Sequence, residues 1–342
     1  MRFRKKVLDN LERCYCVNKI IIDDQLHLLF AEEEIGGRCY DYYGHDFSNK
    51  RLVWDNGGGT MAIVPIPNKN GEFLAIQGFF PGFNAKESKI VWCKLVNNSW
   101  ITYDYLSIPY LHRFDLIEFD NTIYLVGSIV SKHKDSRDDW SVPGCVMYAK
   151  LTEDYDIKPV LNEIDCDIYK NHGYTRNIYK NEESYFFSGD NGIFKLKFED
   201  NRFELDKFTD LSISDVCFID IDNDDHEEML SIEPFHGDSV KIYKEINNAW
   251  QKQYEYPKEI AFAHAISSGY LNDRPCFVFG VRRKNMELVM ITYDHKLNEY
   301  VESVIDQNCG SANVLIFRHQ GQDIIASCNH TINEAALYYI EK

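Results

Sequence analysis

The sequence predicts an all-β fold, because its apolar segments are short and rich in Val, Ile, Tyr and Phe. Aromatic residues make up 14% of the 342 positions, with 22 Tyr and 21 Phe, and this composition favours strands over helices. The segments also recur in groups of four, each group spanning about fifty residues, which is the repeat of a propeller blade. We therefore predict a seven-bladed β-propeller of four-stranded blades, formed as one domain over 1–342, with six or eight blades as the alternatives.

The clearest group of four strands lies at 264–307. Its predicted strands are "FAHAISSGYLND", "RPCFVFGVRRKN", "MELVMITYDHK" and "LNEYVESVIDQN", separated by the Asn, Asp and Gly residues that favour turns. The same pattern predicts the other complete blades at 16–55, 60–108, 112–164, 172–211 and 215–257. A seventh blade is predicted at 313–342.

The seventh blade has only three predicted strands, "NVLIFRHQ", "QDIIASCNH" and "EAALYYIEK". The fourth is expected from residues 4–10, "RKKVLDN", which resemble the outer-strand endings "RLVWDN" and "VESVIDQN". Pairing of the two chain ends would remove open sheet edges, which invite aggregation. We therefore expect an N-terminal strand to complete the last blade.

The charge of the chain restricts its partners. A net charge of −17 repels nucleic-acid phosphates and anionic membrane surfaces. The basic N-terminus is followed by no apolar stretch of signal-peptide length, and no run approaches the ~20 residues of a membrane span. The ten cysteines are scattered without a CxxC pair, as expected for small buried residues in a reducing compartment. A cytoplasmic protein is predicted.

Three blades begin with a histidine. Because strands alternate in direction within a blade, first-strand starts and second-strand ends share one face. We expect His112, His172 and His264 to surround one mouth of the central channel. With His330, or with His236, they offer imidazole ligands for a divalent ion such as Mn²⁺ or Zn²⁺. The alternative is that each histidine is a hydrogen-bonded filler at a strand end.

The same face is expected to carry the two longest loops, "GFFPGFNAKESK" and "SKHKDSRDDWSVPG". Their aromatic residues suit stacking on a sugar ring, and basic residues on this face suit pairing with a carboxylate or phosphate. The alternative is a pair of solvated variable loops. The predicted substrate-binding residues are Phe79, Phe80, Phe83, Arg113, Lys132, Arg282 and Asn313.

An acidic segment, "DVCFIDIDNDDHEEMLSI" (215–232), resembles the FG-GAP and VCBS-type repeats of integrin-like propellers. The resemblance covers about two blades, and the family loop reads D-x-D-x-D-G-x-x-D. Asp225 occupies the position of the turn glycine. The resemblance implies a structural calcium site on the opposite face from the histidines, with a solvated acidic turn as the alternative. Its predicted ligands are Asp220, Asp222, Asp224 and Glu228.

The histidines and arginines of an otherwise acidic chain predict an enzyme that acts on a sugar or sugar acid. A metal would polarise the substrate, and His172, His264 or Tyr174 would remove a proton, as in a lyase or epimerase. Propeller sugar-acid lyases are similar at the level of the fold only. No P-loop or dinucleotide motif is present, so no nucleotide cofactor is expected.

Two other functions remain open on the sequence. One is a non-catalytic propeller that binds a saccharide or a protein. The other is a glycoside hydrolase with two carboxylates on this face, for which Asp190, Asp215 and Glu33 are candidates. An enzyme is expected to bring the three histidines close to one point, whereas a binding module is expected to disperse them or to cap them with backbone carbonyls.

Overall fold

The computed structural model describes residues 1–199 and 202–341, and these residues form seven four-stranded antiparallel sheets. Their single helical element is a 3₁₀ turn at His330–Ile332. The strands of each sheet follow the chain order, except in the sheet that joins the two chain ends. The predicted fold, a seven-bladed β-propeller of four-stranded blades, is confirmed. Residues 200, 201 and 342, which fall within predicted blades, lie outside the described residues.

The first three blades have the following strands. Blade one has β2 (Cys14–Ile22), β3 (Gln25–Glu32), β4 (Cys39–Tyr43) and β5 (Asn49–Trp54). Blade two has β6 (Ile63–Pro65), β7 (Glu72–Gln77), β8 (Lys89–Val96) and β9 (Ser99–Ser107). Blade three has β10 (Leu111–Phe119), β11 (Thr122–Ile129), β12 (Gly144–Lys150) and β13 (Asn162–Ile168).

The remaining four blades have the following strands. Blade four has β14 (Gly173–Tyr179), β15 (Glu182–Gly189), β16 (Gly192–Glu199) and β17 (Arg202–Thr209). Blade five has β18 (Asp215–Ile219), β19 (Glu228–Glu233), β20 (Ser239–Ile246) and β21 (Ala249–Glu255). Blade six has β22 (Ile260–Leu271), β23 (Arg274–Lys284), β24 (Leu288–Asp294) and β25 (Glu299–Asp306). Blade seven has β26 (Asn313–His319), β27 (Gln322–Asn329), β28 (Glu334–Ile340) and β1 (Phe3–Asn10).

The chain divides into two compact units. The first unit contains residues 1–10, 173–193 and 209–342, and the second contains 11–172 and 194–208. Each unit has its own buried residues. In the first unit, Leu230, Ile232, Phe277 and Phe279 belong to one apolar cluster. No helix within 1–199 and 202–341 is long and apolar enough to cross a membrane.

Two-residue turns connect many of the strands. Both turn residues have positive φ angles, as in the pairs Asn97-Asn98 (48° and 64°) and Asn247-Asn248 (52° and 63°). Asparagine and aspartate adopt this conformation more readily than other non-glycine residues, and its twist matches that of antiparallel strands. The same geometry occurs at Asp23-Asp24, Asp120-Asn121, Lys180-Asn181 and Asn272-Asp273. The turn residues therefore determine where many of the hairpins form.

Burial within a blade is greatest in the second strand and lowest in the outer strand. All six residues of β7 and of β19 are buried, whereas most residues of the outer strands β13 and β21 are exposed or half-buried. Strands buried on both faces read as continuous apolar runs, and strands with one solvated face alternate. The acidic residues Glu228 and Glu233 in β19 are thus buried and require partners.

The N-terminal strand completes blade seven as predicted. Strand β1 pairs antiparallel with β28, from Phe3 opposite Ile340 to Asn10 opposite Glu334, with one bulge between Val7 and Asp9. The Lys5 ammonium lies 3.0 Å from an Asp306 carboxylate oxygen and 2.5 Å from Glu334. Side-chain pairing therefore reinforces the backbone ladder in the first unit.

Candidate functional site

His264 is the extra residue of a β-bulge. In the pairing of β22 with β23, Ala263 faces Val281 and Ala265 faces Gly280, so His264 has no register partner. A bulge reorients a side chain relative to the regular pleat. His264 is buried, and its Nδ1 lies 2.7 Å from the carbonyl oxygen of Ala312. Because a carbonyl only accepts, Nδ1 carries the hydrogen and the imidazole lone pair is on Nε2.

The same bulge occurs at the start of blades one and three. His112 is the extra residue between Leu111 and Arg113, and Tyr15 is the extra residue between Cys14 and Cys16. The histidines of blades three and six therefore occupy equivalent bulges, whereas His172 precedes β14, which pairs with β15 in a regular register. Sequence reasoning missed Tyr15, because a tyrosine in a strand has no unusual pattern and the bulge is visible only in the register.

His264 belongs to a cluster of rings in the first unit. The ring centroids of His236 and His264 are 5.3 Å apart, and His236 stacks between Phe235 at 4.0 Å and Phe262 at 4.4 Å. Phe262 has a φ angle of 61°, a left-handed conformation that costs energy for a bulky residue. Such backbone strain is concentrated at functional sites. The fixed positions of these rings therefore identify a candidate site.

Two arginines lie beside Phe262, a ring of this cluster. The guanidinium carbons of Arg282 and Arg283 lie 4.8 Å and 4.6 Å from the Phe262 ring centroid, within the range of a cation–π contact. The Arg282 guanidinium also lies 2.9 Å from the ring nitrogens of His330. We call this set the arginine–aromatic cluster: Phe235, His236, Phe262, His264, Arg282, Arg283 and His330.

The sequence predicted five of these seven residues for the site, and Arg283 is one of the basic residues that were expected on this face to pair with a carboxylate or phosphate. His264, Arg282 and His330 were expected as catalytic, substrate-binding and metal-ligating residues, and His236 as an additional imidazole. Phe235 and Phe262 were missed. Their signal was an aromatic residue one or two positions before each histidine, in "PFH" and "FAH", but the pattern carries no information about stacking.

His112 and His172 lie together in the second unit. Their ring centroids are 4.2 Å apart, and His112 Nδ1 donates to the backbone oxygen of His172 at 3.1 Å. The hydroxyl of Tyr15 lies 3.4 Å from His112 Nε2 and completes its hydrogen bonding. Both nitrogens of His112 are therefore engaged within the protein. The predicted metal site of His112, His172, His264 and His330 stays a prediction.

The aromatic residues of the first long loop pack within the second unit. Phe79 is buried against His112, with a centroid distance of 5.3 Å. Phe83 contacts Trp140 at 5.3 Å, and the Arg13 guanidinium lies 4.9 Å from the Phe80 ring. These rings contribute to packing of the loop, and their predicted stacking on a sugar stays a prediction.

The predicted basic residues of the second unit have partners within it. Arg113 donates to the carbonyl oxygen of Met61 at 2.7 Å. Lys132 lies 2.6 Å from Glu163 and 3.4 Å from Asp167, and its hydrogen bonds to these carboxylates raise its pKa to about 12. Lys132 is therefore paired with carboxylates, and Arg113 is held by a backbone carbonyl.

The remaining predicted residues lie in the first unit. The Tyr174 ring packs against Phe187 at 5.1 Å, and Asn313 begins β26 opposite Cys328. Among the carboxylates suggested for a glycosidase, Asp215 accepts from Ser214 at 2.9 Å and Asp190 accepts from Ser212 at 3.4 Å. In the second unit, Glu33 pairs with Arg13 at 3.1 Å.

The acidic loop of blade five surrounds a lysine. Ligand oxygens of Asp220, Asp222 and Asp224 lie within 4.8 Å of one another, as the calcium prediction requires. The Lys244 ammonium, however, lies 2.6 Å from Asp222, 2.7 Å from Asp224 and 2.7 Å from Glu228. A positive charge therefore already neutralises this loop. Sequence reasoning missed Lys244, because it lies on β20, sixteen residues or more from the three carboxylates.

Asp220, the fourth predicted calcium ligand, accepts hydrogen bonds from the backbone of the loop. Asp220 accepts hydrogen bonds from the backbone N–H groups of Asp224 at 3.0 Å and Asp225 at 2.9 Å. Asp225, which replaces the turn glycine, has a φ angle of 67°. The loop thus adopts a tight turn without glycine. Calcium binding here stays a prediction.

The cysteines behave as expected for small apolar residues. All ten are free thiols, and only Cys166 is not buried. Burial raises the pKa of the Cys16 and Cys276 thiols to about 12, so little reactive thiolate forms at neutral pH.

Comparison with known proteins assigns no family. No protein-family model matches the chain, and no curated protein matches its sequence.

Proposed function

We propose that the arginine–aromatic cluster binds an anionic sugar through its carboxylate. The observation that supports this most directly is the placement of two guanidinium groups, those of Arg282 and Arg283, within 4.8 Å of the Phe262 ring centroid. An arginine held flat on an aromatic ring keeps its N–H donors directed outward, and the planar donors match a carboxylate.

The charge around the cluster supports an anionic ligand. Arg283 is exposed and Arg282 is half-buried beside the stacked rings, and the adjacent Lys284 pairs with Glu259. Two guanidinium groups therefore form a positive region on a chain of net charge −17, where they would concentrate an anionic ligand. The stacked rings provide an apolar surface for the C–H face of a sugar.

The binding proposal predicts selectivity for the carboxylate. We expect calorimetric titration with galacturonate or glucuronate to detect binding, and galactose or glucose to bind at least tenfold more weakly. Arg282→Gln is expected to weaken uronate binding by about tenfold or more, because it removes a charge-assisted hydrogen bond. Arg318→Gln is the matched control, since Arg318 is an exposed arginine of the same unit that pairs with Asp273. Equal binding of neutral and acidic sugars, or an unchanged affinity of Arg282→Gln, would contradict the proposal.

The hydrogen bonds from the histidines to backbone carbonyls favour a function in binding without catalysis. A binding module is expected to cap its histidines with backbone carbonyls, and both His112 and His264 donate Nδ1–H to such a carbonyl. A non-catalytic saccharide-binding propeller is therefore the function that we favour.

A second candidate is lyase- or epimerase-type proton abstraction by His264. Donation of Nδ1–H to Ala312 fixes the basic lone pair on Nε2, the arrangement of a general base or of a metal ligand. A divalent ion bound by imidazoles would polarise the sugar carboxylate and acidify the adjacent C–H. Similarity of the fold to propeller sugar-acid lyases would fit this candidate and is part of the proposal. We also propose that the acidic loop is related to FG-GAP and VCBS-type repeats.

The catalytic candidate predicts that His264→Gln abolishes formation of an unsaturated or epimerised product. Glutamine can still donate to Ala312 but lacks a basic nitrogen, so the fold is expected to be retained. Product formation is followed by ultraviolet absorbance and NMR, and elemental analysis of the purified protein is expected to find a stoichiometric divalent metal. Uronate binding with no product under any added Mn²⁺ or Zn²⁺ would leave the binding function and eliminate the catalytic one.

A further inference from the structure

Lys134 is buried in a loop, although the polar residues on either side of it face solvent. It lies in the second unit between β11 and β12, and its side chain has no exposed surface. Lys132, His133 and Asp135 on either side are exposed. Lysine is almost never fully buried without a partner, because its ammonium loses hydration. A buried lysine at this position therefore requires an explanation.

Aromatic rings enclose the Lys134 amine. Its Nζ lies 3.2 Å from the ring centroid of Trp140 and 5.9 Å from that of Phe83. The two rings contact each other edge-on at 5.3 Å. Within 1–199 and 202–341, the structure offers Nζ no hydrogen-bond acceptor. The amine is thus held against π-electron faces rather than against oxygens.

The loop itself is braced independently of Lys134. The Ser131 hydroxyl lies 2.7 Å from the carbonyl oxygen of His133 and 2.9 Å from that of Val142, so its single hydrogen is shared between these two acceptors. Asp139 accepts from the backbone N–H groups of Asp135 at 3.1 Å and Ser141 at 3.0 Å. Because these bonds fix the loop without the Lys134 amine, the amine is not needed to close the loop.

Enclosure changes the protonation of Lys134. Desolvation lowers its pKa from the usual 10.5 to about 8. At pH 7.5 this makes the neutral amine roughly a hundredfold more abundant than in an ordinary lysine. A desolvated neutral lysine is a nucleophile of the kind that attacks carbonyl carbon.

We propose that Lys134 is a carbonyl-reactive amine that forms an imine with a small aldehyde or ketone. The nitrogen lone pair attacks the carbonyl carbon, a proton moves to the oxygen, and the carbinolamine loses water to leave a C=N bond to Nζ. No oxidant or reductant is required. The Trp140 face stabilises the protonated imine as a cation, and the nearby Asp138 and Asp139 carboxylates attract it electrostatically. This inference is independent of the proposed function, which concerns the first unit.

The proposal is tested by competitive labelling of the native protein. Glycolaldehyde and cyanoborohydride at limiting concentration convert imines to stable alkyl amines, and peptide mass spectrometry measures the rate at each lysine. At pH 7.5 we expect Lys134 to be labelled at least tenfold faster than Lys132. Lys132 is the internal control, because it lies two residues away, is exposed, and is held protonated by Glu163 and Asp167.

The pH profile and one variant complete the test. Labelling of Lys134 is expected to be half-maximal near pH 8, and Trp140→Leu, which opens the enclosure, is expected to move this midpoint upward towards that of an ordinary lysine. Circular dichroism verifies that each labelled sample is folded. Labelling of Lys134 no faster than Lys132, or only in urea, would overturn the proposal, as would an unchanged midpoint in Trp140→Leu.

Discussion

Lys244→Ala is expected to lower the free energy of unfolding by about 3 kcal/mol in the absence of divalent ions. Its ammonium lies within 2.7 Å of Asp222, Asp224 and Glu228, and Glu228 is fully buried. Removing one partner of a buried ion pair leaves the remaining charges uncompensated. Urea unfolding in EDTA measures the loss, and Lys252→Ala is the control because Lys252 is an exposed lysine of the same blade that pairs with Glu255.

Calcium is expected to restore the stability of Lys244→Ala. Without the ammonium, the loop presents several carboxylate oxygens around one point, the ligand set that Ca²⁺ prefers. Wild-type protein is expected to respond to Ca²⁺ far less, because Lys244 already neutralises the loop. If wild-type protein is stabilised by Ca²⁺ as strongly as the variant, or if the variant is as stable as Lys252→Ala in EDTA, the role assigned to Lys244 is wrong.

The free energy of unfolding that Lys244→Ala loses is expected to be smaller at pH 5 than at pH 8. Burial raises the pKa of Glu228 from the usual 4.5 to about 7, so the folded state binds this proton more tightly than the unfolded state. The resulting stabilisation is complete below pH 4.5 and is lost as the pH rises through 7. Removing Lys244 takes away a charge that favours ionised Glu228, which strengthens this dependence. A pH-independent loss would contradict the explanation.

Deletion of residues 1–10 is expected to lower the midpoint of thermal unfolding by on the order of 10 °C and to cause aggregation. The deletion removes β1, so β28 becomes an unpaired edge strand. It also removes Lys5, which pairs with Asp306 and Glu334. The Tyr338 hydroxyl, which donates to Asp306 at 2.6 Å, then remains beside an uncompensated carboxylate. Differential scanning calorimetry and light scattering measure both effects.

A peptide of residues 1–12 added in trans is expected to restore the truncated protein, because an exposed sheet edge accepts an added strand. A peptide of the same composition in scrambled order is the control. A truncated protein that unfolds at the wild-type temperature, or that the scrambled peptide restores equally well, would show that β1 does not complete the blade.

The sequence was sufficient to predict the strands, because strand and turn preferences are local. The Asn97-Asn98 and Asn247-Asn248 pairs mark hairpin turns because asparagine readily adopts positive φ. The last blade has only three predicted strands near residue 342, which led to the prediction that β1 supplies the fourth. The candidate site was predicted only in part. His264, Arg282 and His330 were selected by position in the repeat, whereas Phe262 was not, because its role depends on stacking against residues from other strands.

The amino-acid sequence by itself determined the fold class and the recurrence of histidine at first-strand starts, since both follow from patterns repeated along the chain, whereas the structure decided between seven blades and the alternatives of six or eight. Only the tertiary structure decided what those residues contact. The bulges at Tyr15, His112 and His264, the ammonium of Lys244 among the blade-five carboxylates, and the enclosure of Lys134 by Trp140 depend on strand register and loop packing. A change of one residue in register reverses the side of the sheet that a residue faces, and no local pattern records that choice.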